Sequence, residues 1–179
     1  VVIGIIDTWV EPNHEDLNVS PYNPGTNPAN GLSKDFIGTE ELPADGSQIY
    51  TDENHGTFVA GMAAAVGGND AGIVGAAPGA TIAGLHSGSD GSGVNISAAT
   101  DAAYWASGVS GSGDAVSYLG EAAIQVKNCS FGSVYTAGNS ADRVFAAAVE
   151  ATSLNNVIYV FAAGNSRGDG YGGDSGWNT

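Results

Sequence analysis

The chain has 179 residues, of which 19 are Asp or Glu and only 4 are Lys or Arg, for a formal net charge of −15. That balance argues against nucleic acid or an anionic membrane surface as a partner, and no apolar run is long enough to span a bilayer. The length suits one compact domain over 1–179, and the lone Cys129 excludes a disulfide within the chain.

The first element is Val1-Val2-Ile3-Gly4-Ile5-Ile6, a short β-branched run expected as a strand over 1–7 buried on both faces. It ends at Asp7-Thr8. A carboxylate at the carboxyl end of a parallel strand stands where open α/β sheets place their ligands, although a turn cap would look the same. Residues 17–54 are rich in Pro, Asn, Gly and Asp and read mainly as loop. His55 then opens a run of small residues, Gly56-Thr57-Phe58-Val59-Ala60-Gly61-Met62-Ala63-Ala64-Ala65-Val66, that favours a helix packed closely on a sheet. A strand over 81–86 and a Gly/Ser-rich loop over 87–93 follow. A helix over 94–108 would turn Ile96, Ala99, Ala103 and Ala106 inward, with Trp105 at its edge. A strand over 122–130 would bury the Cys129 thiol. A helix over 139–154 would use Val144, Ala147, Ala148 and Ala151 as its apolar stripe, with Asp142 near its start. The last strand, 156–163, ends in small residues and then Gly164-Asn165. Strands alternating with helices imply a largely parallel sheet with right-handed crossovers.

Three residues in this order suit one chemistry. A carboxylate (Asp7) can orient an imidazole (His55) that acts as general base, and a side-chain amide (Asn165) can donate to a developing oxyanion. Taken singly, each is equally at home as a cap or turn residue.

The contexts Asp7-Thr8, His55-Gly56-Thr57-Phe58-Val59-Ala60-Gly61 and Ala162-Ala163-Gly164-Asn165 together resemble the subtilisin-like (subtilase) serine peptidases, whose order is Asp, His, oxyanion Asn, Ser. The resemblance implies an α/β fold of three layers, a mostly parallel sheet with helices on both faces, here without its carboxyl-terminal part. It implies a serine endopeptidase acting on polypeptides, secreted or extracytoplasmic, with Asp7, His55 and Asn165 in the catalytic roles. Ser130, Phe131 and Gly132, with Ala162 and Gly164, match the segments that line the substrate cleft. Asn13-His14-Glu15-Asp16-Leu17 matches the motif after the catalytic Asp, which makes His14 structural. The family's structural calcium site maps onto the Asp16 carboxylate, the Asn69 side chain and the carbonyls of Val66, Ala71 and Ile73, a set of oxygen donors suited to that ion.

The departures are equally specific. Trp9 stands where the family usually has Gly, and is expected to line the cleft or to splay outward. No Gly-Thr-Ser segment is present: the Gly-Thr pairs 25–26, 38–39 and 56–57 all lack a following Ser. The nucleophile is therefore expected outside this chain, in a remaining segment of the catalytic domain that would be its partner. The alternative is a noncatalytic peptide-binding domain. Gly173-Asp174-Ser175-Gly176 imitates the nucleophile segment of chymotrypsin-like proteases, but that fold is all-β with His before Asp. A nucleotide-binding domain would need a Gly-rich turn where Thr8-Trp9-Val10-Glu11-Pro12 stands. Asp52 and Asp174 fall where kexin- and furin-like relatives carry acidic residues that select basic side chains.

Overall fold

The computed structural model describes residues 1–22, 31–38, 54–110, 117–118, 124–132 and 140–165. Five strands form the main sheet: β1 (Val2–Asp7), β2 (Lys34–Asp35), β3 (Thr81–His86), β8 (Val126–Cys129) and β9 (Ile158–Phe161). Their spatial order is β2-β3-β1-β8-β9, and every pairing is parallel. Two small antiparallel pairs lie outside it, β4 (Gly88–Ser89) with β5 (Gly93–Val94) and β6 (Val109–Ser110) with β7 (Ser117–Tyr118).

Side chains alternate across β1, so its apolar run feeds two cores. Ile3 and Ile5 join Ile82 against Ala60 and Ala64 of helix α1 (His55–Ala64). Ile6 joins Leu85, Ile124 and Cys129 against α2 (Ile96–Ala106) and α3 (Ser140–Ser153). One helix thus covers one face of the sheet and two cover the other, the three-layer arrangement expected. The Asn95 side chain caps α2 by accepting from the backbone N–H of Ser97 and Ala98 at 2.9 and 3.2 Å.

Three expectations are corrected. The buried stripe of α3 runs through Phe145, Ala148 and Thr152, whereas Val144 and Ala147 face solvent. The bulk of Phe145, packed against Phe131 and Phe161, outweighs the alanine pattern. The loop 87–93 contains the β4–β5 hairpin. The described part of 17–54 is mainly loop, as expected, and adds β2 and two bridges, Val19 to Ile82 and Tyr22 to Ser33. Trp9 neither lines the cleft nor splays outward. It is buried, stacked on Tyr22 at 4.2 Å and edge-on to His86 at 5.5 Å, since an indole gains most where its whole ring leaves water.

Candidate active site

β1 delivers Asp7, fully buried, to the carboxyl edge of the sheet. α1 delivers His55 as its first residue, with the side chain 49% exposed. His55 Nδ1 donates to Asp7 Oδ1 at 2.6 Å, and the Thr8 backbone N–H donates to the same oxygen at 2.7 Å. A carboxylate on Nδ1 fixes the ring proton there and leaves Nε2 as the basic nitrogen. Burial pushes the Asp7 carboxyl above the usual carboxylate range, and the bonds from His55 and Thr8 pull it only partly back. Its Oδ2 is buried without a hydrogen-bond partner among the described residues.

The two residues after His55 set this geometry. Gly56 N–H donates to Thr8 Oγ1 at 2.9 Å. Thr57 Oγ1 accepts from Glu11 N–H at 2.9 Å and reaches the Trp9 carbonyl at 3.5 Å. A Cβ on Gly56 would stand 2.5 Å from the Thr8 carbonyl oxygen and 2.7 Å from that of Trp9. Only glycine lets the helix close onto the turn after β1. The sequence reading used this Gly-Thr pair as a signature, and Thr8 and Thr57 emerge here as the clamp behind it.

Two cavities meet at His55. One, of about 340 Å³, is lined by His55, Phe58, Val59, Ser130, Phe131, Gly132, Ala162, Gly164 and Asn165. The other, of about 350 Å³, is lined by Asp7, Thr8, His55, Ser89, Asp90, Gly93, Val94, Ser130 and Phe131. β8 ends beside β1 and β9 beside β8, bringing Ser130, Phe131, Gly132, Ala162, Gly164 and Asn165 to the same edge. Gly164 adopts φ 93°, a conformation that favours glycine directly before the exposed Asn165. The arrangement brings an imidazole, the buried carboxylate bonded to it and Asn165 to one edge of the sheet, the parts other than a nucleophile that acyl transfer would use.

The proposed metal residues also come together. Asp16 Oδ1 accepts from Asn69 Nδ2 and Oδ2 from Ile73 N–H, both at 2.9 Å, and Val66 N–H reaches the Asp16 carbonyl at 2.9 Å. The Ile73 and Asn69 bonds hold the Asp16 carboxyl below its usual range. Ala71 N–H approaches Asn69 Oδ1 at 3.4 Å. A Cβ on Gly72 would stand 2.0 Å from Asp16 Oδ2, so the loop closes on the carboxylate only with glycine there. Turning the Asn69 amide over would set Oδ1 against the carboxylate, an arrangement favourable only with a cation between them. No group of three or more His, Cys, Asp or Glu that could hold a metal occurs among the described residues, so a cation here would depend on amide and carbonyl oxygens. The donor chemistry fits a hard cation. His14 Nδ1 accepts from the Asp16 N–H at 3.2 Å and lies outside the cleft, in keeping with a structural role.

Asp52, Asp174 and Ser175 lie outside the described residues. A second His–Asp pair was not anticipated. His86 Nδ1 bonds Asp35 Oδ1 at 2.9 Å, nearly enclosed, in the strands beside Asp7. No helix among the described residues is long and apolar enough to cross a membrane.

The sequence profile of the subtilase family of peptidases matches residues 1–178. Thermitase of Thermoactinomyces vulgaris is 38% identical over 80 residues, covering 45% of this chain and 23% of thermitase. A solved protease structure from Pseudoalteromonas arctica superposes with a TM-score of 0.59 at 25% identity, covering 92% of this chain and 50% of its own. A cold-adapted subtilisin-like serine proteinase superposes with a TM-score of 0.59 at 20% identity, covering 93% and 47%, and shows the shared fold. The chain thus spans about half the length of these solved structures, and over that span its fold and sequence agree: it belongs to the subtilase family.

Proposed function

We propose that this chain provides the base, its orienting carboxylate and the oxyanion donor of a subtilisin-like serine endopeptidase whose nucleophilic serine lies outside these 179 residues. The single observation that carries the reading is the Asp7–His55 bond of 2.6 Å at the meeting of two cavities, with Asn165 in the wall of one. In this reading Asp7 holds His55 in the tautomer whose Nε2 takes the serine proton. His55 then returns that proton to the leaving amine while Asn165 donates to the tetrahedral oxyanion. Ser130, Phe131 and Gly132 on one side, and Ala162 and Gly164 on the other, border the bound polypeptide.

The placement of the serine elsewhere is supported by an unfinished surface. α1 exposes Phe58 and Met62, and β9, at the edge of the sheet, exposes Ile158 and Val160. Apolar side chains on an edge strand and on a helix beside the cleft suit further polypeptide packed there. The remaining catalytic-domain segment is the proposed occupant. The setting we infer for it is secreted or extracytoplasmic, the usual one for the family.

The test is labelling with a serine-directed fluorophosphonate. The 179-residue chain should take up none. The longest natural polypeptide containing it should be labelled on a serine outside these residues and should cleave unstructured peptides. Failure of that longer polypeptide to label or cleave would leave the noncatalytic peptide-binding domain as the reading.

A structural calcium ion is proposed at the loop 66–73, held by Asp16, Asn69 and the carbonyls of Val66, Ala71 and Ile73. An ion bound only by the native state stabilises it by mass action, about 2.7 kcal/mol at a hundredfold excess over Kd. Melting with calcium and then with chelator checks this: the chain should gain stability with calcium, and Asp16→Asn should lose that gain.

A further inference from the structure

Of the two cavities that meet at His55, one has a charged wall that takes no part in the proposed chemistry. The cavity of about 350 Å³ is bounded by Val94 and Phe131 as well as by Asp7 and His55, and Asp90 completes its lining. Asp90 sits exposed in the connection between β4 and β5. Its Oδ2 accepts the backbone N–H of Asn54 at 2.8 Å. That bond ties the carboxylate to the start of α1, one residue before His55, so its position in the wall is fixed by backbone on both sides.

No Lys or Arg lines this cavity, and among the described residues Asp90 forms no ion pair. Asp7, the other carboxylate of the lining, is buried and engaged with His55 and Thr8. Asp90 acts across the cleft all the same, since its charge is one of the influences that raise the Asp7 carboxyl. With only 4 Lys and Arg in the whole chain, a cation that answers this charge is most readily brought by a ligand.

We propose that Asp90 is a specificity determinant that selects peptides carrying a basic side chain, Lys or Arg, at the position seated in this cavity. The proposal rests on the reading of the groove as a peptide cleft and names its substrate class. The chemistry of the walls suits both parts of such a side chain. Val94 and Phe131 cover the methylene stem, and the charged head reaches Asp90 at the wet rim. A pair this exposed is screened by salt and modest in size, so the preference should be about fivefold at low ionic strength and smaller at high.

The experiment is a fluorescence-anisotropy titration of the longest natural polypeptide containing these 179 residues, treated with the fluorophosphonate to prevent turnover, with labelled alanine-rich hexapeptides. A single Arg is moved along the peptide and compared with norleucine at each position. At one position Arg should bind about fivefold tighter than norleucine at low salt. Asp90→Asn keeps an oxygen for the Asn54 N–H but removes the charge. It should abolish the Arg advantage, so that Arg and norleucine bind alike. Asp90→Lys should shift the preference to Glu at the same position. Equal affinity for Arg and norleucine at every position, or an Arg advantage that survives Asp90→Asn, overturns the proposal while leaving the peptide cleft standing. If a folded chain binds none of the peptides, the peptide-cleft reading itself fails and the assignment of Asp90 falls with it.

Discussion

Asp35, His86 and Asp7 stand side by side where β2, β3 and β1 end, in register across the sheet. Two His–Asp pairs result, and they differ in access, not in composition. His86 reaches Asp35 from a neighbouring strand, and its side chain is 2% exposed. His55 reaches Asp7 from the first turn of a helix, and its side chain is 49% exposed, between two cavities. The carboxylates diverge as well. Burial pushes both upward, but Asp35 also receives N–H bonds from Ile37 and Gly38 besides His86, and ends below the usual range. Asp7 receives only the Thr8 N–H besides His55 and ends above it. A buried pair held between neighbouring strands ties them together. A pair with one ring nitrogen turned to a groove can move a proton.

The largest expected effect separates the two histidines by function. In the complete enzyme, His55→Ala should lower kcat by about six orders of magnitude, the loss known for that residue in subtilisin, with little change in Tm. His86→Ala should leave the shape of the pH–rate profile intact and lower Tm by several degrees, because it strands Asp35 in the interior. Steady-state kinetics and thermal melting of the two variants check this. A folded His86→Ala enzyme as inactive as His55→Ala would break the distinction.

Lys127 shows what burial does when no carboxylate among the described residues pairs with it. It lies fully buried on β8, with Nζ donating to the Ile124 carbonyl at 2.9 Å and 5.2 Å from the Tyr159 ring. Burial lowers its pKa from 10.5 to about 7, and the nearby Cys129 only partly opposes this. The unfolded chain therefore holds more protons between these values, so stability should rise as pH climbs from about 7 to 10.5. The penalty below that window is on the order of 5 kcal/mol. Lys127→Met should stabilise the chain most at pH 6 and least near pH 10. Urea unfolding across that range tests it, and a gain independent of pH would mean that the amine stays charged inside the fold.

Asn165 tests whether the groove beside the exposed pair is built for an oxyanion. Asn165→Ala should reduce kcat of the complete enzyme about a hundredfold, the usual loss for one such donor in subtilisin-type enzymes, with KM nearly unchanged. A loss confined to KM would instead make Asn165 a ground-state contact.

Much of this arrangement was legible from local pattern. β1, β3 and β9 are continuous apolar runs, α1 to α3 are rich in Ala, and the strand ends carrying Asp7 and Asn165 follow from where those runs stop. The Asp35–His86 pair was not legible. Its carboxylate lies in a two-residue strand inside a Pro- and Gly-rich stretch, and only the register of β2 on β3 unites residues 51 positions apart. The stripe of α3 was misplaced because periodicity among alanines leaves the phase to a single large residue, Phe145. Trp9 was misjudged because its partners, Tyr22 and His86, are distant in sequence.

The smallest expected effect is a difference of sign between the two carboxylates. The folded state raises the Asp7 carboxyl above 3.8, so it holds that proton more tightly than the unfolded chain. The contribution of Asp7 to stability is then full below 3.8 and falls as pH rises through its folded value. The folded state lowers the Asp35 carboxyl below 3.8. Its contribution is full above 3.8 and is lost as pH falls through its folded value. Near neutral pH, ionised Asp7 therefore costs stability and ionised Asp35 adds it. Asp7→Asn should raise the unfolding free energy at pH 7, and Asp35→Asn should lower it. Asn is close in shape to Asp, so packing changes little in either variant. Urea titrations at pH 3, 5 and 7 would read both slopes. Destabilisation of equal size by the two variants at pH 7 would show that Asp7 is held as tightly as Asp35, and that exposure of the histidine alone distinguishes the pairs.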